Sequence, residues 1–467
     1  MALKSAIYAV TGVPVERMKV MVKGTMLKVG ATDALVVLTY AIQDTVDLAS
    51  LALKEVIGTA GPLPTPPPKP TVFLEDMDQG YRDLATGNPP GLVNLGQTCY
   101  LNSTLQALRT IPRLAEALIE LPATANSPEM RVASALKNLF AGLTQTSESV
   151  PPFALLNNLR NLAPQFAEHD SHGHFSQQDA DEAWTQLISA LRSTLTMSSG
   201  NDSFIDRVMS IELTRSLQCT DAPNETQTTS VDKVLKLECN ISVATNFLVS
   251  GIIDSLNQQL EKTSPTLGRM ATYTQRSRLS RLPQTLVVHM VRFYWRRDIQ
   301  KKAKIMRKVK FPLQLDVLEL VTDELKQQMQ PCNALVKQIL AEREDRYKVA
   351  KRSGNRHTDN SGQEEDTRRY ERERFRQLVG AFDDTGNPSG VYELSAMITH
   401  KGASADSGHY IGWTRKDSQT FTPSGEEDWF KFDDDKVSTV KADKILSMDG
   451  GGEDSVAYIL VYRAVDV

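Results

Sequence analysis

A cysteine that attacks a carbonyl needs surroundings that favour its thiolate, a base to hold its proton, and donors aimed at the oxyanion of the tetrahedral intermediate. Cys99 finds the first and last of these locally. It follows the glycine-bounded segment Gly91-Leu-Val-Asn-Leu-Gly-Gln-Thr98 and opens a periodic apolar stretch. At a helix N-terminus the unpaired N–H groups and the macrodipole favour negative charge on sulfur. Asn94, just upstream, can offer its side-chain amide as an oxyanion donor beside a backbone N–H, and Gly91 and Gly96 let that backbone turn tightly. Taken alone, Cys99 also reads as a small buried core residue, as most free cysteines are.

These groups need elements to hold them. Residues 99–111 predict a helix, with Leu101, Leu105 and Leu108 on one face and Asn102, Ser103, Gln106 and Arg109 elsewhere, so the thiol sits in the first turn. A second amphipathic helix is expected over residues 177–191, burying Ala180, Trp184, Leu187, Ile188 and Leu191. The β-branched alternation of residues 285–293 predicts a central strand, and residues 392–398, 409–414 and 458–462 predict others. Helices early and strands late argue for an α+β body. More than half of residues 341–377 are charged, with both signs interspersed, which reads as a solvated helix or a flexible insertion.

The chain has 467 residues, 40 % apolar and 24 % charged, which excludes wholesale disorder and fibrous repeats. With 53 Lys plus Arg against 57 Asp plus Glu, the net charge of −4 provides no global field to draw it onto nucleic acid or an anionic membrane. The longest apolar run, residues 34–42, is far short of the roughly 20 residues that span a bilayer. Residues 1–13 imitate a secretory leader but lack a convincing cleavage site. Four cysteines make no disulfide scaffold, so a reducing compartment, cytoplasm and nucleus, is expected. Six prolines within residues 61–70 form a stiff spacer, or else a ligand for a proline-reading module.

The segment Gly91-Leu-Val-Asn-Leu-Gly-Gln-Thr-Cys-Tyr-Leu-Asn-Ser-Thr-Leu-Gln106 closely resembles the cysteine box of ubiquitin-specific proteases. Ser407-Gly-His-Tyr410, followed by Trp429-Phe-Lys-Phe-Asp-Asp-Asp435, resembles the histidine box and its acidic run. The likeness continues through Gln177-Gln-Asp-Ala-Asp-Glu182 and Leu282-Pro-Gln-Thr-Leu-Val-Val-His-Met-Val-Arg-Phe293, covering most of residues 90–467. It implies a papain-like α+β fold with a helical thumb, a strand-rich palm and fingers, and a cleft between thumb and palm. Cys99 would then attack, His409 would shuttle the proton and Asp433 would orient the imidazole. Asp434 is a possible substitute for Asp433, and His400 is the rival base. Gln97 departs from the family, which more often has Asn there. Ubiquitin is the implied substrate, its basic tail received by Asp179 and Glu182 about one turn apart on a helix, with Gln178 and Tyr410 also contacting it. Only the tail's terminal glycine pair would pass a narrow channel. Loops at 263–280 and 401–408 would cover that channel in a latent enzyme activated at the proteasome.

No cofactor or metal is expected. Many relatives build a zinc finger on paired Cys-x-x-Cys motifs, but Cys219 and Cys239 stand alone, and the cluster from His169 to His174 reads as an ordinary loop. The glycines at 450–452 lack the following Lys and Ser or Thr of a phosphate cradle. Residues 3–28 and 56–60 resemble the helix, following strand and last strand of a ubiquitin-like domain, as in the proteasome-associated branch of the family. In that branch the domain docks the enzyme on the 26S proteasome regulatory particle. Its opening hairpin should precede Leu3, and residues 29–55 lose the pattern, so an imperfect, truncated domain is expected at 1–60. A linker at 61–89 and the catalytic domain at 90–467 complete the organisation. Two rivals remain: a non-catalytic ubiquitin-binding regulator of the proteasome, which would form no adduct at Cys99, and a general papain-like protease, which would cleave unrelated peptides.

Overall fold

The computed structural model describes residues 88–467 except 123–125, 197–201, 297–300, 354–360, 381, 383–385, 405–406, 418–421 and 453–454, together with the backbone of three strands before residue 58. The chain divides into two units, Met1–Met77 and Asp78–Val467. In the first, β1 (Lys19–Val22) pairs antiparallel with β2 (Thr25–Met26) and with β3 (Glu55–Ile57). The helix expected before β1 and the proline run at 61–70 lie outside the described residues.

The second unit opens with helices: α1 (Cys99–Leu108), α2 (Leu114–Ile119), α3 (Pro128–Gln145), α4 (Phe153–Leu162), α5 (Ala180–Thr194) and α6 (Phe204–Met209). Strands β4 (Ile211–Cys219), β5 (Thr228–Val234) and β6 (Leu237–Asn240) and helix α7 (Leu248–Leu256) follow. Next come β7 (Asn257–Thr263), β8 (Met270–Arg281) and β9 (Thr285–Val291), the hairpin of β10 (Phe293–Arg296) and β11 (Lys301–Lys304), and β12 (Gln314–Asp316). Two charged helices, α8 (Asp323–Ser353) and α9 (Ser361–Val379), precede β13 (Val391–Ser404), β14 (Ser407–Arg415), β15 (Asp428–Asp433), β16 (Lys436–Lys441), α10 (Ala442–Leu446) and β17 (Val456–Ala464). No helix among the described residues is long and apolar enough to cross a membrane.

The palm is one sheet in the order β16-β15-β14-β13-β17-β9-β6, with β12 on the start of β13. Its central strands are apolar on both faces because both are covered. Successive side chains alternate across the pleat: Val287, Ala396, Ile398, Tyr410 and Val461 join the core beneath α1, α3, α4 and α5, while Leu286, Val288, Met397, Ile411 and Leu460 join the core on the opposite face. The fingers are a separate antiparallel sheet, β5-β4-β8-β7. The α+β expectation therefore agrees with the architecture.

Several local expectations are corrected. The first helix ends at Leu108, and all of its residues are buried, polar ones included. Wedged between sheet and helices, it has no solvent face. Its side chains bond to backbone instead: Ser103 Oγ to Cys99 O at 2.8 Å, Thr104 Oγ1 to Tyr100 O at 2.7 Å, Gln106 Nε2 to Pro90 O at 3.2 Å. The second begins three residues late, because Asp179 caps it by accepting from Asp181 N at 2.7 Å. Residues 270–280 belong to β8, which leaves 264–269 as the turn after β7, and 401–404 and 407–408 are the facing ends of β13 and β14, so the described part of each expected loop is shorter than the sequence suggested. The charged segment is helical but not wholly solvated, since Glu371 is buried between Arg343 and Arg346 where α8 meets α9.

Candidate active site

Cys99 is the first residue of α1 and 2 % exposed. The helix can lie close on β14 because of Gly412, where a Cβ would meet the Cα and carbonyl oxygen of Ser103 at 3.2 Å. Near the start of β14, paired with Lys401 of β13, stands His409. Asp433 ends the adjoining strand β15. His409 Nε2 donates to Asp433 Oδ1 at 2.6 Å, and Lys431 Nζ donates to Asp433 Oδ2 at 2.7 Å. Hydrogen bonds to Asp433 and then to Cys99 push the imidazole up to about 10. With Nε2 spent on the carboxylate, Nδ1 is the nitrogen left for sulfur. The His409 bond, aided by Lys431 and opposed by burial, holds the Asp433 carboxyl well below the usual carboxylate range.

His400 and Asp434 are placed otherwise. His400 is fully buried, and burial together with the nearby Lys304 charge pushes it down to about 3, so it has neither the access nor the basicity of a general base. Asp434 accepts from Asn94 Nδ2 at 2.9 Å and from Asn102 Nδ2 at 2.8 Å. Its carboxylate ties together the two ends of the cysteine segment.

That segment is braced from both directions. Asn94 Oδ1 accepts from Gly96 N at 2.9 Å and from Thr98 N at 3.3 Å, so the turn into α1 is wound around this side chain. One amide hydrogen of Asn94 goes to Asp434; the other has no protein acceptor among the described residues. At Gly91 a Cβ would meet the carbonyl oxygens of Asp435 and Asp434 at 2.6 and 2.7 Å, and Leu92 N–H donates to Asp434 O at 3.0 Å. The strand-15 turn and the cysteine loop thus fit only without a side chain there. Gln97 has φ of 55°, a left-handed conformation that Asn tolerates better than Gln.

The expected substrate contacts scatter. Asp179 is held by Tyr458 Oη, which donates to its two oxygens at 2.7 and 2.8 Å, and burial pushes its carboxyl up. Gln178 is buried. Tyr410, next after His409, alternates to the core face, 1 % exposed, with its ring against those of His400 and Tyr458. Of the four, only Glu182 is exposed. Sequence reasoning missed Lys431 and Asn102. The first had a readable signal, since alternation places Lys431 on the same face of its strand as Asp433; the second was read as an outward polar position.

A family model described as ubiquitin carboxyl-terminal hydrolase matches residues 90–462. The chain is 39 % identical to ubiquitin carboxyl-terminal hydrolase 6 of Schizosaccharomyces pombe, over 100 % of this chain and 94 % of that protein. It is 35 % identical to ubiquitin carboxyl-terminal hydrolase 6 of Arabidopsis thaliana, over 99 % and 93 % of the two chains. Against ubiquitin carboxyl-terminal hydrolase 14 of Caenorhabditis elegans the identity is 30 %, over 99 % and 89 %. A likeness of this extent, running through both boxes, places the chain in the ubiquitin carboxyl-terminal hydrolase family, as a thiol-dependent deubiquitinating protease.

Proposed function

We propose that the chain hydrolyses the bond after the C-terminal glycine of ubiquitin, acting on conjugates held at the proteasome. Cys99 sulfur attacks the carbonyl carbon with the proton already resident on His409; collapse of the intermediate breaks the C–N bond, and His409 gives that proton to the leaving amine. Water then adds to the Cys99 thioester, its proton passing through His409 to the departing sulfur, and ubiquitin leaves with a free carboxylate. Asn94 and the Cys99 backbone N–H are the oxyanion donors. What supports this reading most is His409, bonded to Asp433 at 2.6 Å and raised in pKa by that carboxylate and by the buried thiol of Cys99. The proteasome is supported by the ubiquitin-like pattern of residues 3–28 and 56–60. Cytoplasm and nucleus suit an enzyme that needs a reduced thiol.

Ubiquitin bearing a C-terminal electrophile should form one adduct with the purified chain, at Cys99. A folded chain that forms none is the non-catalytic regulator. Adding purified proteasome should accelerate ubiquitin release; an equal rate with and without it removes the proteasome from the proposal.

The imidazole also sets a pH dependence. Because its pKa is raised, His409 stays charged up to about 10, so activity should be lost on the alkaline side as that proton leaves. Asp433→Asn removes the largest cause of the rise. The alkaline limb of kcat/KM should therefore move to lower pH, beside a loss in rate of about 10²-fold or more. A limb that stays in place would separate Asp433 from the imidazole.

A further inference from the structure

We propose that Lys304 is a positioning residue for the deubiquitinating reaction, pinning from the hairpin β10–β11 the run of β13 that carries the pairing partner of His409. This rests on the reading of His409 as the catalytic base. Lys304 ends β11, opposite Phe293. Its Nζ donates to the carbonyl of His400 at 2.7 Å, to that of Gly402 at 3.0 Å, and to His400 Nδ1 at 3.0 Å. An ammonium has three donors, and all three are spent on residues 400–402. The middle residue of that run, Lys401, is the one paired with His409.

The location explains the need. On its other side β13 is paired with β17, but only as far as Val456 opposite His400. Beyond that point no strand among the described residues supplies donors to that edge of β13, and buried carbonyls left without them are costly. Lys304 supplies them. His400 completes the support from within, its ring centroid 5.3 Å from that of Phe293 and 4.6 Å from that of Tyr410. Burial keeps this ring neutral, so Nδ1 accepts from Lys304 and the ring proton is assigned to Nε2, which is buried with no hydrogen-bond partner among the described residues. One ammonium therefore ties the β10–β11 hairpin to both the backbone and the packed ring behind His409, while touching neither His409 nor Cys99 itself.

Without those donors, residues 400–402 keep their pairing with β14 but lose the support behind it. A displacement of about 1 Å in a reacting group costs on the order of 10²-fold in rate. In Lys304→Met, kcat for release from a ubiquitin C-terminal amide should fall ~10- to 100-fold with KM within about twofold. Alkylation of Cys99 by iodoacetamide, which needs no bound ubiquitin, should slow as well. Lys304→Arg, which still donates to both carbonyls, should recover most of both rates. Unchanged kcat and alkylation in Lys304→Met overturn the inference, as does a raised KM with kcat intact, which would mark a substrate contact. If the Met variant does not fold, Lys304→Gln, with a shorter reach and fewer donors, decides: a folded Gln variant at full rate overturns the inference, and a slowed one supports it. His409→Ala separates the two claims. If it still turns over, the assignment of the base is wrong; if it is inactive while the Lys304 variants run at full rate, only the role of Lys304 fails.

Discussion

Cys99→Ala loses ubiquitin release by ~10⁵-fold or more, leaving only what binding and oxyanion donors contribute without a nucleophile. The comparison is clean because the change is small where it matters to folding. One sulfur leaves the first turn of α1, and alanine is the best helix former. The hydrogen bonds that build the preceding turn run through Asn94 and Thr98, not through the thiol. The unfolding temperature should thus stay near that of the parent, and ubiquitin should still bind. Release of a fluorophore from the ubiquitin C-terminus, read beside a binding titration, tests both halves. A residual rate above about one-hundredth of the parent would place the nucleophile elsewhere. A proteasome effect identical in parent and variant would instead identify occupancy, not hydrolysis, as what the proteasome senses.

Arg292→Met produces the largest loss of stability expected in the catalytic unit, about 3–5 kcal/mol. Arg292 lies between β9 and β10 and is fully buried. Nε donates to Ala457 O at 2.7 Å, Nη1 to Ile305 O at 3.1 Å and Arg307 O at 2.9 Å, and Nη2 to Asp449 O at 3.1 Å. One planar group thereby joins β17, the chain leaving β11 and the turn after α10. Burial pushes its pKa down, but only to about 10, so it remains a cation at neutral pH. Methionine fills much of the volume and supplies none of the donors. Lysine should rescue poorly, since a single ammonium lacks the fork that reaches carbonyls in several directions. The midpoint of denaturant unfolding should fall in both variants, further for methionine. A midpoint that does not move would mean those carbonyls find water at no cost.

The elements were legible wherever a short window carries the period. The strands expected at 285–293, 392–398, 409–414 and 458–462 were each visible as a β-branched or alternating run and lie in the palm, except that the first stops at Val291 and Phe293 opens the β10–β11 hairpin. Helix α1 was visible too, but not its burial, because the covering surfaces of β14 and α5 come from distant parts of the chain. Asp179 shows the same limit. Its spacing from Glu182 suggested a shared acidic face, whereas the structure makes it a helix cap bonded to Tyr458. Tyr410 stands beside a reactive histidine in sequence and yet points into the core, as pleating requires of alternate residues.

By itself, the order of residues determined the chemical types present, the elements that carry them and the family to which they belong, because those depend on composition and on periods a few residues long. Tertiary structure decided which of two histidines can hold a proton. His400 and His409 have the same side chain on adjacent strands, but one is buried beside an ammonium and pushed down to about 3, while the other is bonded to a carboxylate and, with the influence of a thiol, pushed up to about 10. Proton affinity belongs to the neighbours as much as to the ring, and here the neighbours arrive from the far ends of the catalytic unit.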